Sequence, residues 1–150
     1  MRYLLRLVNH SVTTTYIFSI DGHNLTVIEA DFVPIEPYTT NHVLLAVGQR
    51  YHVVVEATPH VYNRKGNYWI RTVPADGCSN FRKATGEPSF VTETGIIRYD
   101  PHIEADPDST KNQFSTQCVD RPNEVLKPIL RWDIPNQGSE SSCACCNQKF

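Results

Sequence analysis

Residues 16–30, YIFSIDGHNLTVIEA, decide the fold class. On either side of Asp21-Gly22 the apolar side chains recur at every second position, which is the period of an extended strand and not of a helix. Asp-Gly tolerates the positive φ angles of a type I′ turn, so 16–20 and 25–29 read as the two arms of a β-hairpin. On that reading Tyr16, Phe18 and Ile20 share one face, with Ile17 and Ser19 on the other.

The same alternation, rich in Val, Ile, Tyr and Thr, predicts further strands over 3–8, 42–47, 51–57, 67–73 and 95–99. Seven short strands in all are the pattern of an all-β sandwich. Gly48-Gln49 turns the chain into Tyr51, Val53 and Val55. Pro34 and Pro37 bracket a stretch that reads as strand-poor, because proline lacks the donor a central ladder needs. Beyond Tyr99 the composition shifts: Asp100, Pro101, Glu104, Asp106, Pro107 and Asp108 crowd together, and 100–117 reads as a surface loop or linker. Val125 to Ile134 regain some order, with Pro128 and Pro135 arguing against a helix. The final GSESSCACCNQKF, residues 138–150, reads as disordered.

A chain of 150 residues can form a single core. A net charge of −2 leaves no cationic surplus to draw a phosphate backbone, so nucleic acid is not an expected partner. No apolar run approaches the ~20 residues that span a bilayer, so no membrane partner is read. The opening MRYLLRLVN lacks the apolar stretch of a cleavable signal peptide.

Taken in order, RYLLRLVNHSV (2–12), YIFSIDGHNLTVIEADFVPIEPYTT (16–40), VGQRYHVVVEA (47–57), GNYWIR (66–71) and GIIRYD (95–100) resemble the second plastocyanin-like domain of fungal multicopper oxidases, laccases in particular. Cys118-Val119-Asp120 and 126–135 resemble the family's exit into its third domain. The resemblance implies a cupredoxin-like Greek-key β-sandwich over 1–100, short of its first one or two strands. It implies a linker and exit segment over 101–137 toward a third domain outside the chain, then an irregular C-terminal extension ending in the Cys-containing tail 138–150. A start at Met1 would leave a sheet edge open, and such edges invite aggregation.

In function the resemblance implies the middle domain, or a fragment, of a secreted, extracellular laccase-like oxidase. That enzyme takes one electron at a time from phenols or related reductants and reduces O2 to water. Its copper belongs to the first and third cupredoxin domains, the partners of this one. The middle domain binds none, spaces the other two and lends one wall to the phenol pocket, so the chain alone is expected to be inactive. Two alternatives stay open: a non-catalytic truncated cupredoxin module, and a fragment of a ferroxidase or ascorbate oxidase relative. Ferroxidase chemistry would need gathered carboxylates; Glu29, Asp31 and Glu36 are close in sequence, but no spacing marks them as an Fe(II) site.

The family's copper ligands come as His-x-His pairs and a His-Cys-His segment, and neither occurs here. His10, His23, His42, His52, His60 and His102 stand singly; His42 and His52 fall in neighbouring predicted strands and are the pair with a prospect of meeting. In laccases an acidic side chain of the middle domain holds the phenolic hydroxyl and takes its proton. The resemblance aligns that position with Thr13, which cannot accept a proton at useful pH. Asp31 reads as a turn carboxylate, Asp21 as part of its own turn, and Arg50 as a partner for a carboxylate or carbonyl. Of Tyr68 and Trp69, the one facing inward is core.

Asn9-His10-Ser11 and Asn24-Leu25-Thr26 are glycosylation sequons, and Asn24 matches a sequon of related laccases. Five cysteines are an odd number. Ascomycete laccases join positions like Cys78 and Cys118, and such a disulfide would close a loop of ~40 residues worth ~4 kcal/mol in an oxidising compartment. Cys143, Cys145 and Cys146 have no counterpart in the family's second domain and read as a soft-metal thiolate group or an aberrant tail.

Overall fold

A computed structural model describes residues 1–57, 66–78, 93–122 and 124–130. Its strands are β1 (Arg2–Val8), β2 (Tyr16–Ile20), β3 (Leu25–Ala30), β4 (Val33–Thr40), β5 (Val43–Leu45), β6 (Arg50–Glu56), β7 (Asn67–Pro74) and β8 (Glu93–Arg98). They form two four-stranded sheets, one in the order β1-β6-β3-β4 and the other β5-β2-β7-β8. Every strand-to-strand pairing among the described residues is antiparallel. The all-β expectation holds, and it holds for the reason the alternation gave. In β6, Tyr51, Val53 and Val55 are buried while Arg50 and Glu56 face out. With Leu25, Val27 and Ile35 they meet Phe18, Ile20, Val43, Leu45 and Tyr68 of the second sheet in one core.

The hairpin over 16–29 is corrected. β2 pairs with β5 and β7, and β3 pairs with β4 and β6, so the two strands lie in different sheets. The reason is the turn type. His23 N–H donates to Ile20 O at 3.1 Å and Gly22 has φ +68°, but Asp21 is not among the positive-φ residues. A type I′ turn needs both central residues positive; one positive residue, at the second position, is the type II pattern, which does not continue a hairpin ladder. The two-residue hairpin loop with both φ values positive is Asp31-Phe32, at φ 45° and 67°, between Ala30 and Val33. Arg50 closes it: its N–H donates to Asp31 Oδ1, and its guanidinium lies 5.1 Å from the Phe32 ring centre rather than on a carboxylate.

The strand-poor reading of the stretch around Pro34 and Pro37 is also corrected, since both prolines lie in β4. It is an edge strand with β3 on one side, where Pro34 and Pro37 interrupt no central ladder. Residues 127–129 touch its free edge: Glu36 N–H donates to Lys127 O and Ile129 N–H to Pro34 O. β5 is shorter than expected, at three residues.

Residues 100–122 hold no strand, only the single bridge Asp76–Gln117, yet they are bound along the second sheet. Asn112 donates to Ile20 O and Asn41 O and accepts from Gly22 N–H. The Trp69 indole donates to Pro107 O, and Asn67 donates to Ala105 O. Both faces of β2 are buried, with Ile17 at 1% exposure.

Candidate functional site

Residues 9–15 connect β1 to β2 across one end of the sandwich. The base of this loop is fixed by Asn9, 6% exposed, whose Nδ2 donates to Thr14 O at 2.8 Å and Leu45 O at 2.9 Å. Its Oδ1 accepts from Ser11 N–H, and its backbone exchanges bonds with Gln49 O and Gly48 N–H. The Ser11 hydroxyl donates to Thr14 O, and Thr14 and Thr15 are buried. A buried amide with both its donors and its acceptor engaged holds a loop in one shape. The tip stands free of this network: Val12 is 89% exposed and Thr13 is exposed.

Beside the loop lies an open cleft of about 500 Å³, lined by Arg6, Val8, His10, Ser11, Tyr16 and Thr72 among others. Among the described residues its lining contains no carboxylate, and the ionisable groups there are Arg6, His10 and Tyr16. Thr13 sits at the tip and is not part of that lining.

A buried ion pair escaped sequence reasoning. Arg71 Nε and Nη2 donate to Asp21 Oδ1 and Oδ2 at 2.8 and 2.9 Å, and the Ser109 hydroxyl donates to Oδ2 at 2.8 Å. The partners are 50 residues apart, and no spacing rule joins a turn aspartate to a strand arginine across that distance. The one available signal was an Arg closing the apolar GNYWIR run.

The family model described as multicopper oxidase matches residues 1–102. The chain belongs to the multicopper oxidase family. It is 46% identical over 138 residues to a laccase of Arthroderma benhamiae, which covers 91% of this chain and 21% of that protein. It is 43% identical over 135 residues to the oxidoreductase OpS5 of Beauveria bassiana, covering 88% of this chain and 21% of that one. The crystal structure of laccase from Botrytis aclada superposes at a TM-score of 0.75 with 40% identity, covering 89% of this chain and 23% of that one. The cupredoxin-like fold follows. The multicopper oxidase chain spans about a fifth of the curated relatives it matches.

Membership in the multicopper oxidase family implies copper in the parent enzyme. Among the described residues no three His, Cys, Asp or Glu side chains converge, so this donor set does not fit a copper centre. His42 and His52 are not neighbours, because His42 precedes β5 in one sheet and His52 lies on β6 in the other. His42 stacks on Phe114 and contacts Asn41 Oδ1 through Nδ1; burial, then the Arg121 charge, pull its pKa down. His52 Nδ1 lies 3.0 Å from Glu29 Oε1, and His23 is buried beside Tyr68 and Tyr99. His10 lines the cleft, and His102 is exposed. His60 lies outside the described residues.

The three acids weighed for iron do not gather either. Glu29 faces His52, Asp31 caps Arg50 N–H, and Glu36 is exposed on β4. Tyr68 is core, while Trp69 reaches the 100–122 segment. Cys78 and Cys118 are joined in a disulfide with Cα atoms 5.8 Å apart. Asn24 is exposed next to the Asp21-Gly22 turn, whereas the Asn9 amide nitrogen is committed to two carbonyls. Cys143, Cys145 and Cys146 lie outside the described residues.

Proposed function

We propose that this chain is the middle cupredoxin domain, or a part of it, of a secreted laccase-like oxidase, with copper held by the first and third domains. Its own tasks are to space those domains and to form one wall of the phenol pocket with residues 9–15. The observation that carries this reading is the loop held by Asn9, which presents Val12 and Thr13 to solvent beside an open cleft. The high identity to laccases supports it. Residues 1–100 then form the domain, 101–137 the exit segment and 138–150 a tail, with Asn24 as the accessible glycan acceptor.

Thr13 sets the chemistry of such a wall. A phenol gives up its electron more readily when its proton has somewhere to go, and a threonine hydroxyl takes none near neutral pH. Turnover then depends on the phenol's own ionisation, or on water, and rises with pH. The test is a hybrid in which residues 1–130 replace the matching stretch of the Botrytis aclada laccase. A copper-loaded oxidase whose phenol KM differs from that of the unaltered laccase supports the proposal; a folded, copper-loaded hybrid with unchanged phenol kinetics contradicts the pocket-wall role.

A further inference from the structure

Outside the loop, the structure holds a tyrosine–histidine pair with defined proton positions. His23, 3% exposed, contacts Asp21 O through Nδ1 at 2.8 Å and the Tyr99 hydroxyl through Nε2 at 2.7 Å. A backbone carbonyl only accepts, so Nδ1 carries the proton, and in the neutral ring Nε2 accepts from the Tyr99 O–H. The imidazole is kept in place by Tyr68, edge-on at 4.7 Å, and by Tyr99, whose ring is nearly parallel at 5.9 Å. Tyr99 is anchored by its N–H on Gly66 O. Its pKa is raised by burial, then by Tyr68 and Tyr3, so the phenol stays protonated until it is oxidised. A groove of about 400 Å³, lined by Met1, Tyr3, Leu5, Val55, Ile97 and Tyr99 among others, opens this ring to small molecules.

We propose that Tyr99 and His23 form a site of reversible, proton-coupled one-electron oxidation. A small oxidising radical that enters the groove, such as a peroxyl radical, takes one electron from Tyr99 and is itself reduced to its anion. The phenolic O–H bond breaks and an N–H bond forms at His23 Nε2, leaving a neutral tyrosyl radical and an imidazolium whose Nδ1–H still donates to Asp21 O. One electron from a thiol or ascorbate reverses the step and returns the proton to oxygen. The site needs no copper and does not depend on the laccase reading.

The full 150-residue chain is tested by flash-quench oxidation with photogenerated tris(bipyridyl)ruthenium(III), followed by transient absorption and electron paramagnetic resonance. The expected result is a tyrosyl phase whose rate ignores buffer concentration, because the base is built in, and which slows in D2O. Tyr99→Phe removes that phase. His23→Phe slows it by about 100-fold, the scale of a positioned general base, and makes it buffer-dependent. The buffer and D2O measurements on the unaltered chain decide the matter even if His23→Phe does not fold. A buffer-dependent radical in the unaltered chain, or an undiminished buffer-independent phase in Tyr99→Phe, overturns the proposal.

Discussion

At residue scale, local backbone demands decide more than composition does. Gly22 sits at φ +68°, and a Cβ there would lie 3.3 Å from the Tyr68 ring. Gly22→Ala should therefore cost about 1–2 kcal/mol from the left-handed backbone alone, seen as a lower urea midpoint at unchanged slope. An unchanged midpoint would mean the turn tolerates a side chain. Asp21-Gly22 was legible as a turn but not as this turn, because the dipeptide fits two turn types and the Asp21–Arg71 ion pair favouring one of them is a long-range contact. Asp31-Phe32 shows the converse. Nothing about phenylalanine announces a positive φ, and its cation–π contact with Arg50 exists only once β3, β4 and β6 are paired.

At the scale of elements, the strands with clean alternation were legible because each buries one face on the core. β4 was not, since its two prolines mark an edge position that cannot be assigned before the sheet order is known. Within the loop 9–15 only Thr13 was singled out for the pocket, and through family resemblance alone. The loop's fixing residue, Asn9, read as a glycosylation sequon because a sequon carries no record of burial. Residues 100–117 read as a surface loop or linker because the hydrogen bonds that tie them to the second sheet, most of them made by side chains, leave no periodic trace. The disulfide at the end of this segment ties Cys118 to Cys78 across 40 residues. Cys118→Ser should lower stability by about 4 kcal/mol, measured by urea unfolding, through the larger freedom of the unfolded chain. A loss well under 1 kcal/mol would show that the hydrogen bonds hold the segment without the disulfide.

At the scale of the whole molecule, tyrosine burial sets an alkaline limit. Burial, then Tyr38, Asp31 and Asp120, push Tyr51 up to about 12, and Tyr38 and Tyr99 are also raised, mainly by burial. Unfolded tyrosines ionise near ~10, so above that pH the unfolded chain binds fewer protons than the folded one and stability falls. The urea midpoint should hold below about pH 10 and drop from there toward 12; a flat midpoint across that interval would contradict it. The larger claim is that this domain offers a copper oxidase a pocket wall whose proton acceptor is missing. Its most direct measurement is the ratio of kcat/KM for a phenol to that for a non-phenolic one-electron donor, in the laccase hybrid with Thr13 and with Thr13→Asp. The account predicts that aspartate raises the phenol value by about 100-fold near neutral pH and leaves the non-phenolic donor unchanged. Equal effects on both substrates, or none on either, would contradict it.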